Sequence, residues 1–456
     1  MGARLAIETT AARLVGTLSR TAGRGGGTTL PGKLLWKLDP SAIDALARRL
    51  PQGAAIVSAT NGKTTTVAMT AAILGRRHRL AWNSSGANLA SGVASTLLRA
   101  RDAELGLLEV DEFALPEVLG RVRPRAVVLG NLFRDQLDRY GELEHIAERW
   151  RSAVGRLPVG TTLVVGADDP LVADLAGAHE RVLRYGVDDP RVARPSLQHA
   201  ADSKYCLRCG SPLAYAAAYV GHLGDYRCDA CGHARPPLDV AARDVRLHGL
   251  DAISFLLASP SAERRLTLPL PGLYNVYNAL AAASLCLSLE TPLDEIVHGL
   301  EQFQPAFGRF ERIEIGGRRL LILLIKNPAG ANEAIRTLES GGVPQTLLVA
   351  LNDAIADGRD VSWIWDVDFE PLLEATARVV VAGDRAAELA LRFTYAGFPR
   401  DRLEVIPDLE SALDRGLELV GEGEELAVLP TYTAMLRLRA ILTSRGHVRP
   451  YWEQVA

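Results

Sequence analysis

Short strand-like apolar runs alternate with helical patterns along most of the chain. The first series comprises Ala54–Ser58, Leu105–Val110, Ala126–Leu129, Thr162–Val165 and Arg181–Tyr185. Helical stretches lie between them, from about Thr64 to Leu74 and at Ala114–Val122 and Leu143–Val154. Such alternation predicts an α/β domain with a mostly parallel sheet. The α/β pattern resumes later through a helix around Asn275–Leu289, and a fresh series starts at Arg309. Its strands are Leu320–Ile325, Thr346–Leu351, Val379–Ala382, Glu404–Ile406 and Glu425–Leu429, separated by helices and followed by a last one. This series predicts a second, Rossmann-like unit of about 150 residues, an ordinary domain size. Ahead of both, Met1–Arg24 reads as an amphipathic helix, and another helix starts near Asp39-Pro40-Ser41. The resulting division is a helical segment over residues 1–45, a central domain over 46–304 and a C-terminal domain over 305–456.

Composition adds limits. A chain of 456 residues exceeds what one hydrophobic core usually serves, which agrees with several domains. The formal charge of −3 gives no global reason to wrap nucleic acid or lie on an anionic membrane. No apolar run approaches the roughly 20 residues of a transmembrane segment. Met1–Arg24 also lacks the continuous apolar region of a signal peptide, so a cytoplasmic location is expected.

The first candidate chemistry is the loop Ala59–Thr66, ATNGKTTT, which follows a strand and opens a helix. That context turns backbone N–H groups and a helix N-terminus toward phosphates. Lys63 can reach the outer phosphates, and the Thr64 hydroxyl can hold Mg²⁺. The first glycine of the common pattern would fall at Val57, and a bare Gly-Lys-Thr is frequent. The loop alone therefore establishes only phosphate binding.

Further segments follow in order: Leu108-Glu109-Val110-Asp111-Glu112, Asn131-Leu132-Phe133-Arg134-Asp135-Gln136-Leu137-Asp138, Ala167-Asp168-Asp169-Pro170, Leu273-Tyr274-Asn275-Val276-Tyr277-Asn278 and Gly308-Arg309-Phe310-Glu311. With T-N-G-K-T-T they resemble the Mur ligase family, which activates a carboxylate as an acyl phosphate. The resemblance implies a Mur ligase-like central P-loop domain followed by a Rossmann-like α/β domain. It implies ATP held by Thr60, Asn61, Gly62, Lys63, Thr64 and Thr65, with Asn275 and Asn278 at the adenine. Glu109 joins Thr64 as a Mg²⁺ ligand, and Arg309 and Lys326 are further nucleotide contacts. For Asp168 and Asp169, turn chemistry explains Asp-Asp-Pro better than a role at the site. The chain departs from the family in having Gln136 in place of a metal-binding histidine. It also has Tyr274 for another histidine, and Leu323-Leu324-Ile325-Lys326-Asn327-Pro328 lacks the aspartate that usually contacts the nucleotide.

Four of the five cysteines form Cys206-x-x-Cys209 and Cys228-x-x-Cys231, with 18 residues between the pairs. This is the spacing of a four-cysteine zinc ribbon, inserted here over 203–237. With four protein ligands the Zn²⁺ would be structural. Lys204, Arg208 and Arg227 make too thin a basic set for nucleic acid.

An acidic loop follows the strand Leu347–Leu351, running from Asn352 to Asp368 and holding Asp353, Asp357 and Asp360. α/β folds place active-site loops at this end of a strand. An Asp-Gly turn, a Ser362 cap and tryptophan packing would explain the same residues without chemistry. The full pattern N-D-x-x-A-D-G-x-D-x-S-W-I-W-D, with K-N-P-A-G and the ribbon, resembles the MurT branch of the family. That branch amidates lipid II, at the membrane surface, with ammonia from a glutaminase partner, GatD. The partner contributes cysteine and histidine, and a ligase-subunit aspartate completes the triad. The motif puts that aspartate at Asp360, with Asp353 and Asp357 as alternatives. An independent argument agrees, because the fifth cysteine, Cys286, lies in an apolar helical stretch where thiols are inert. Competing expectations are a folylpolyglutamate-synthase-type ligase that adds an amino acid directly, and a P-loop binding protein without ligase chemistry.

Overall fold

The computed structural model describes residues 9, 12, 30–39, 41–83, 86–135, 143–177, 179–198, 201–304 and 310–449. The amphipathic stretch expected over Met1–Arg24 lies outside them except for Thr9 and Ala12, both helical. So do Gln136 and Arg309. Among the described residues no helix is long and apolar enough to cross a membrane.

Seventeen strands occur among the described residues. Those of the larger sheet are β1 (Ala54–Ser58), β2 (Leu80–Trp82), β3 (Leu105–Glu109), β4 (Ala126–Leu129), β5 (Thr162–Gly166) and β6 (Val182–Val187). A small hairpin of β7 (Ala214–Val220) and β8 (Leu223–Arg227) comes next in the chain. The larger sheet then resumes with β9 (Val240–His248), β10 (Ala252–Ala258) and β11 (Glu263–Leu268). Its order is β11-β10-β9-β6-β5-β4-β1-β3-β2. Pairing is parallel from β2 through β9 and antiparallel for β9-β10-β11.

The parallel part agrees with the expectation, and the three antiparallel strands were not foreseen. For β9 and β11 the reason lies in their exposure. Glu263-Arg264-Arg265-Leu266-Thr267-Leu268 buries only Leu266 and Leu268, so no continuous apolar run marks it. By contrast β1, β3 and β4 are buried throughout. Alternate residues of β1 serve two separate cores: Ala55 and Val57 face one, Ala54 and Ile56 the other.

The smaller sheet comprises β12 (Phe310–Ile315), β13 (Arg318–Leu323), β14 (Thr346–Ala350), β15 (Arg378–Ala382), β16 (Leu403–Val405) and β17 (Glu425–Pro430). Its order is β12-β13-β17-β14-β15-β16, parallel except for the β12-β13 hairpin. It too separates two apolar layers. The expected strand Leu320–Ile325 begins earlier, at Arg318, and ends at Leu323, which frees Leu324-Ile325-Lys326 as a loop at its carboxyl end.

Three helices position the site: α1 (Lys63–Leu74), α2 (Leu273–Ser288) and α3 (Pro328–Gly341). The α2 helix is buried along nearly its whole length, so its Ala/Leu-rich sequence packs on all sides. Cys286 is fully buried within it.

The Asp-Asp-Pro turn has the structural role expected of it. Asp169 caps the helix Pro170–Asp174, its Oδ1 accepting from Leu171 N at 2.9 Å and Val172 N at 3.2 Å, and its Oδ2 accepts from Leu132 N at 2.8 Å. Asp168 accepts from Val187 N, Tyr277 Oη and Arg235 Nη1 at 2.9, 2.7 and 3.1 Å. Burial pushes its carboxyl up to about 6, against the pull of Arg235. Replacing Asp169 with alanine removes a cap and strands the buried Leu132 N–H. Denaturant unfolding should show a loss of about 2–3 kcal/mol; a loss below about 0.5 kcal/mol contradicts this role.

Candidate functional site

The glycine-lysine loop leaves the carboxyl end of β1, between neighbours β3 and β4. Gly62 has φ +85°, a conformation costly for residues with a Cβ. A Cβ there would also come 1.9 Å from Asn278 Oδ1. Glycine thus lets the loop close against α2. Asn131 clamps the other side: Asn61 N donates to Asn131 Oδ1 at 2.9 Å, Asn131 Nδ2 donates to Asn61 O at 3.1 Å, and Thr60 N donates to Asn131 O at 2.8 Å. Thr65 is buried and Thr64 half-buried in the first turn of α1.

Lys63 is held close to its own loop. Its Nζ donates to Ala59 O, to Thr60 O at 3.3 Å and to Glu112 Oε2 at 2.8 Å. Burial works against this ammonium, but Glu112, Asp111 and Glu109 outweigh it and keep the pKa above its ordinary value. Burial likewise opposes the Glu112 carboxylate, and Lys63 with Lys326 nevertheless holds its pKa below the ordinary value. Both groups are charged at neutral pH.

Glu109 ends β3 beside this pair, 2% exposed. Its Oε1 accepts from Asn88 Nδ2 at 3.2 Å, while Oε2 has no hydrogen-bond partner among the described residues. A buried carboxylate oxygen without a donor suits a cation, and hard oxygen ligands are what Mg²⁺ takes. The residues present therefore fit the ion.

On α2, Asn278 Nδ2 donates to Asn275 Oδ1 at 3.0 Å, and Asn275 Nδ2 donates to Pro271 O at 2.7 Å. These two amides line a pocket whose floor includes Gly62 and Thr65 and whose walls include Val220, Leu223 and Leu270. The opposite wall comes from the second unit: Leu323, Leu324, Lys326, Ala329, Gly330 and Glu333. Lys326 Nζ donates to Thr60 O at 3.0 Å and to Asp135 Oδ2 at 2.6 Å. Burial pushes the Asp135 carboxyl up even though Lys326 opposes the shift. Asn327 and Asn61 exchange amide hydrogen bonds at 3.0 and 3.2 Å, and Asn327 Oδ1 also caps α3 through Gly330 N at 2.8 Å.

The structure thus brings together Thr60, Asn61, Gly62, Lys63, Thr64, Thr65, Glu109, Asn275, Asn278 and Lys326. Sequence reasoning missed Glu112, Asn131, Asp135, Asn327 and Glu333. Glu112, Asn131, Asp135 and Asn327 lie inside quoted motifs, but their pairing across chain separations of 49 to 266 residues is visible only in the fold.

The acidic loop leaves the carboxyl end of β14, and its three aspartates differ. Asp357 is buried and caps the final helix, accepting from Thr433 N at 2.8 Å and from Thr433 Oγ1. Asp353 pairs with Arg385 at 2.9 Å. Asp360 is exposed and accepts from Ser362 N at 2.9 Å. Hydrogen bonds from Ser362 hold its carboxyl below the usual range. Nearby, Ile355 is 74% exposed, while Trp365 and Tyr395 meet edge to face at 5.6 Å with Tyr395 75% exposed.

The cysteine module surrounds the β7-β8 hairpin. Gly210 N donates to Cys206 O at 2.8 Å and Gly232 N to Cys228 O at 2.9 Å, each glycine having φ +74°. All four Sγ atoms lie within 4.8 Å of one another, with Cys206–Cys231 at 3.6 Å and Cys209–Cys228 at 3.4 Å. Tetrahedral Zn–S bonds of about 2.3 Å put sulfurs about 3.8 Å apart, so the donor set fits zinc.

Comparisons with known proteins agree with this architecture. The family model for the Mur ligase middle domain matches residues 57–210, and that for the MurT ligase C-terminal domain matches 324–435. The subunit MurT of lipid II isoglutaminyl synthase (glutamine-hydrolyzing) from Streptococcus pneumoniae is 33% identical, over 93% of this chain and 94% of that protein. Its Staphylococcus aureus counterpart is 32% identical over 84% of this chain and 86% of its own. Among solved structures, a pseudomurein peptide ligase type C from Methanothermus fervidus superposes with TM-score 0.69 at 22% identity, covering 88% of this chain and 80% of that one.

If the cysteine module holds a structural ion, metal analysis of purified protein should find about one zinc per chain. Cys228→Ser should lower that content severalfold and reduce the melting temperature. Full stability in zinc-free protein contradicts the assignment.

Proposed function

The chain belongs to the MurT branch of the Mur ligase family, and from that premise we propose that it is the ATP-dependent ligase subunit that amidates lipid II. Its working division is an N-terminal segment over 1–45, a nucleotide-binding domain over 46–304 and a C-terminal domain over 305–456. ATP occupies the pocket between the phosphate loop and α3, its phosphates against Gly62, Lys63, Thr64 and Thr65. Asn275 and Asn278 border the base, and Lys326 lies at the junction of the two units. Glu109 and Thr64 hold Mg²⁺, which supplies charge neutralisation for the transferring phosphoryl group.

The substrate is the α-carboxylate of D-glutamate in the stem peptide. A carboxylate oxygen attacks the γ-phosphorus, the bond to the β-phosphate oxygen breaks, and ADP leaves. Ammonia then attacks the acyl carbon, phosphate departs carrying the substrate oxygen, and a proton is released, giving D-isoglutamine. Phosphoryl transfer of this kind needs positioned positive charge more than a protein nucleophile. The observation that carries the reading is the buried Lys63–Glu112 pair, with Glu109 adding to its field, in a loop whose Asn61, Gly62 and Thr65 line the pocket between the two units.

Ammonia comes from a GatD-like glutaminase. Cys286 is buried, and burial pushes its thiol above its ordinary value, so it is a poor nucleophile. Asp360 is the carboxylate offered to the partner's histidine, in the orienting role of a triad's third member. Its exposure and ionisation support this choice, whereas Asp357 and Asp353 are engaged within the chain. The exposed Ile355, Trp365 and Tyr395 supply apolar area for docking. The protein works in the cytoplasm, with lipid II presented at the membrane surface.

Two expected outcomes follow. Lys63→Ala should lower ammonium-dependent amidation on the order of 10²–10³-fold; undiminished product formation rejects the catalytic reading. Asp360→Asn should leave the ammonium reaction nearly intact while cutting the glutamine reaction on the order of 10³-fold or more. Equal loss of both contradicts a triad role. A requirement for a free amino acid instead of ammonium would favour direct addition, as in folylpolyglutamate-type ligases.

A further inference from the structure

Glu333 lies on α3, 2% exposed, and lines the interdomain pocket. Its Oε1 accepts from Arg194 Nη2 at 3.1 Å. Its Oε2 has no hydrogen-bond partner among the described residues. A carboxylate offers about four acceptor positions, and leaving them unfilled in a buried site is unfavourable. An apolar side chain would cover the same wall without that penalty.

Arg194 Nε also has no hydrogen-bond partner among the described residues, whereas other neighbouring donors are engaged. Tyr277 Oη donates to Asp168 at 2.7 Å and Thr337 Oγ1 to the Glu333 carbonyl at 2.7 Å. The Asn278 amide is directed to Asn275, and the Asn275 amide to Pro271. Arg336, one turn along α3, donates to Tyr219 O at 2.7 Å and Val192 O at 2.6 Å. The Arg194 and Arg336 contacts fix this face of α3 against the hairpin and the strand connection before it. The carboxylate is thereby held in place with one oxygen unused.

The position is informative. Asn327, at the start of α3, meets Asn61 of the phosphate loop. Glu333 is six residues further on, about 9 Å of helical rise. That is comparable to the reach from the inner phosphates of a nucleotide to its sugar and base. The pocket that Glu333 lines also has the apolar residues Val220, Leu223 and Leu270.

We propose that Glu333 reads the nucleoside half of ATP, its free oxygen accepting a hydrogen bond from the adenine amine or a ribose hydroxyl. This rests on the nucleotide reading of the pocket. Glu333 is then a specificity-determining residue, and the hydrogen bond from Arg194 orients its carboxylate.

The test pairs enzyme and nucleotide changes in the ammonium-dependent reaction of the full chain. KM is measured for ATP, inosine triphosphate, 2′-deoxy-ATP and 3′-deoxy-ATP, with the wild type and with Glu333→Gln. The expected result is a tenfold or greater rise in KM for ATP with kcat within about threefold. For one of the three analogues the substitution should change KM by less than twofold, and that analogue identifies the donor. Equal effects on all four nucleotides, or none on any, overturn the proposal. The wild type tests it without a folded variant, since equal KM for all four nucleotides also overturns it. Failure of the pocket reading is distinguishable, because Lys63→Ala would then leave ATP use unchanged.

Discussion

The reciprocal amide pair between Asn61 and Asn327 is the contact on which the rest of the site depends. Asn61 belongs to the phosphate loop of the larger sheet, and Asn327 caps α3 of the smaller one. Each hydrogen bond contributes only about 1 kcal/mol net. Their value lies in geometry, because they fix the loop of one unit against a helix of the other. Lys326 reinforces the junction through Thr60 O and Asp135. The nucleotide pocket exists only where these two units meet, so a hinge at the junction would open or close it without disturbing either core.

Charge at the site is arranged so that burial does not neutralise it. Lys63 and Glu112 are each disfavoured by desolvation and each kept charged by the other. Glu109 beside them has an oxygen without a hydrogen-bond partner among the described residues. A positive group, a compensating carboxylate and an open ligand oxygen together provide the fixed electrostatics that phosphoryl transfer uses. The acidic loop, the second site we propose, also leaves the carboxyl end of a strand, here in the smaller sheet. There the fold employs Asp357 as a helix cap and Asp353 as an ion-pair partner, leaving Asp360 at the surface.

The sequence made the central parallel strands β1, β3, β4, β5 and β14 legible because each is buried on both faces and reads as an apolar run. It concealed β9 and β11, whose exposed positions carry Arg, Glu and Asp and break the run. The phosphate loop, Glu109, the asparagines of α2 and the cysteine spacing were legible because each is local or has a fixed motif. Glu112, Asn131 and Asn327 were present in those motifs without an evident role. Their partners lie far away in the chain, and only the topology supplies them. Glu333 was not marked at all, since a helical glutamate ordinarily faces water, and its burial follows from how α3 docks against Arg194.

The central claim is that this pocket converts a carboxylate into an acyl phosphate before nitrogen arrives. Isotope tracing tests it most directly. Lipid II carrying ¹⁸O in the D-glutamate α-carboxylate is amidated with ATP and ammonium, and the released phosphate is analysed by mass spectrometry. The account predicts one ¹⁸O in each phosphate formed, because the substrate oxygen bridges carbon and phosphorus and leaves with phosphorus. Phosphate free of label, with amide formed at the normal rate, would contradict it.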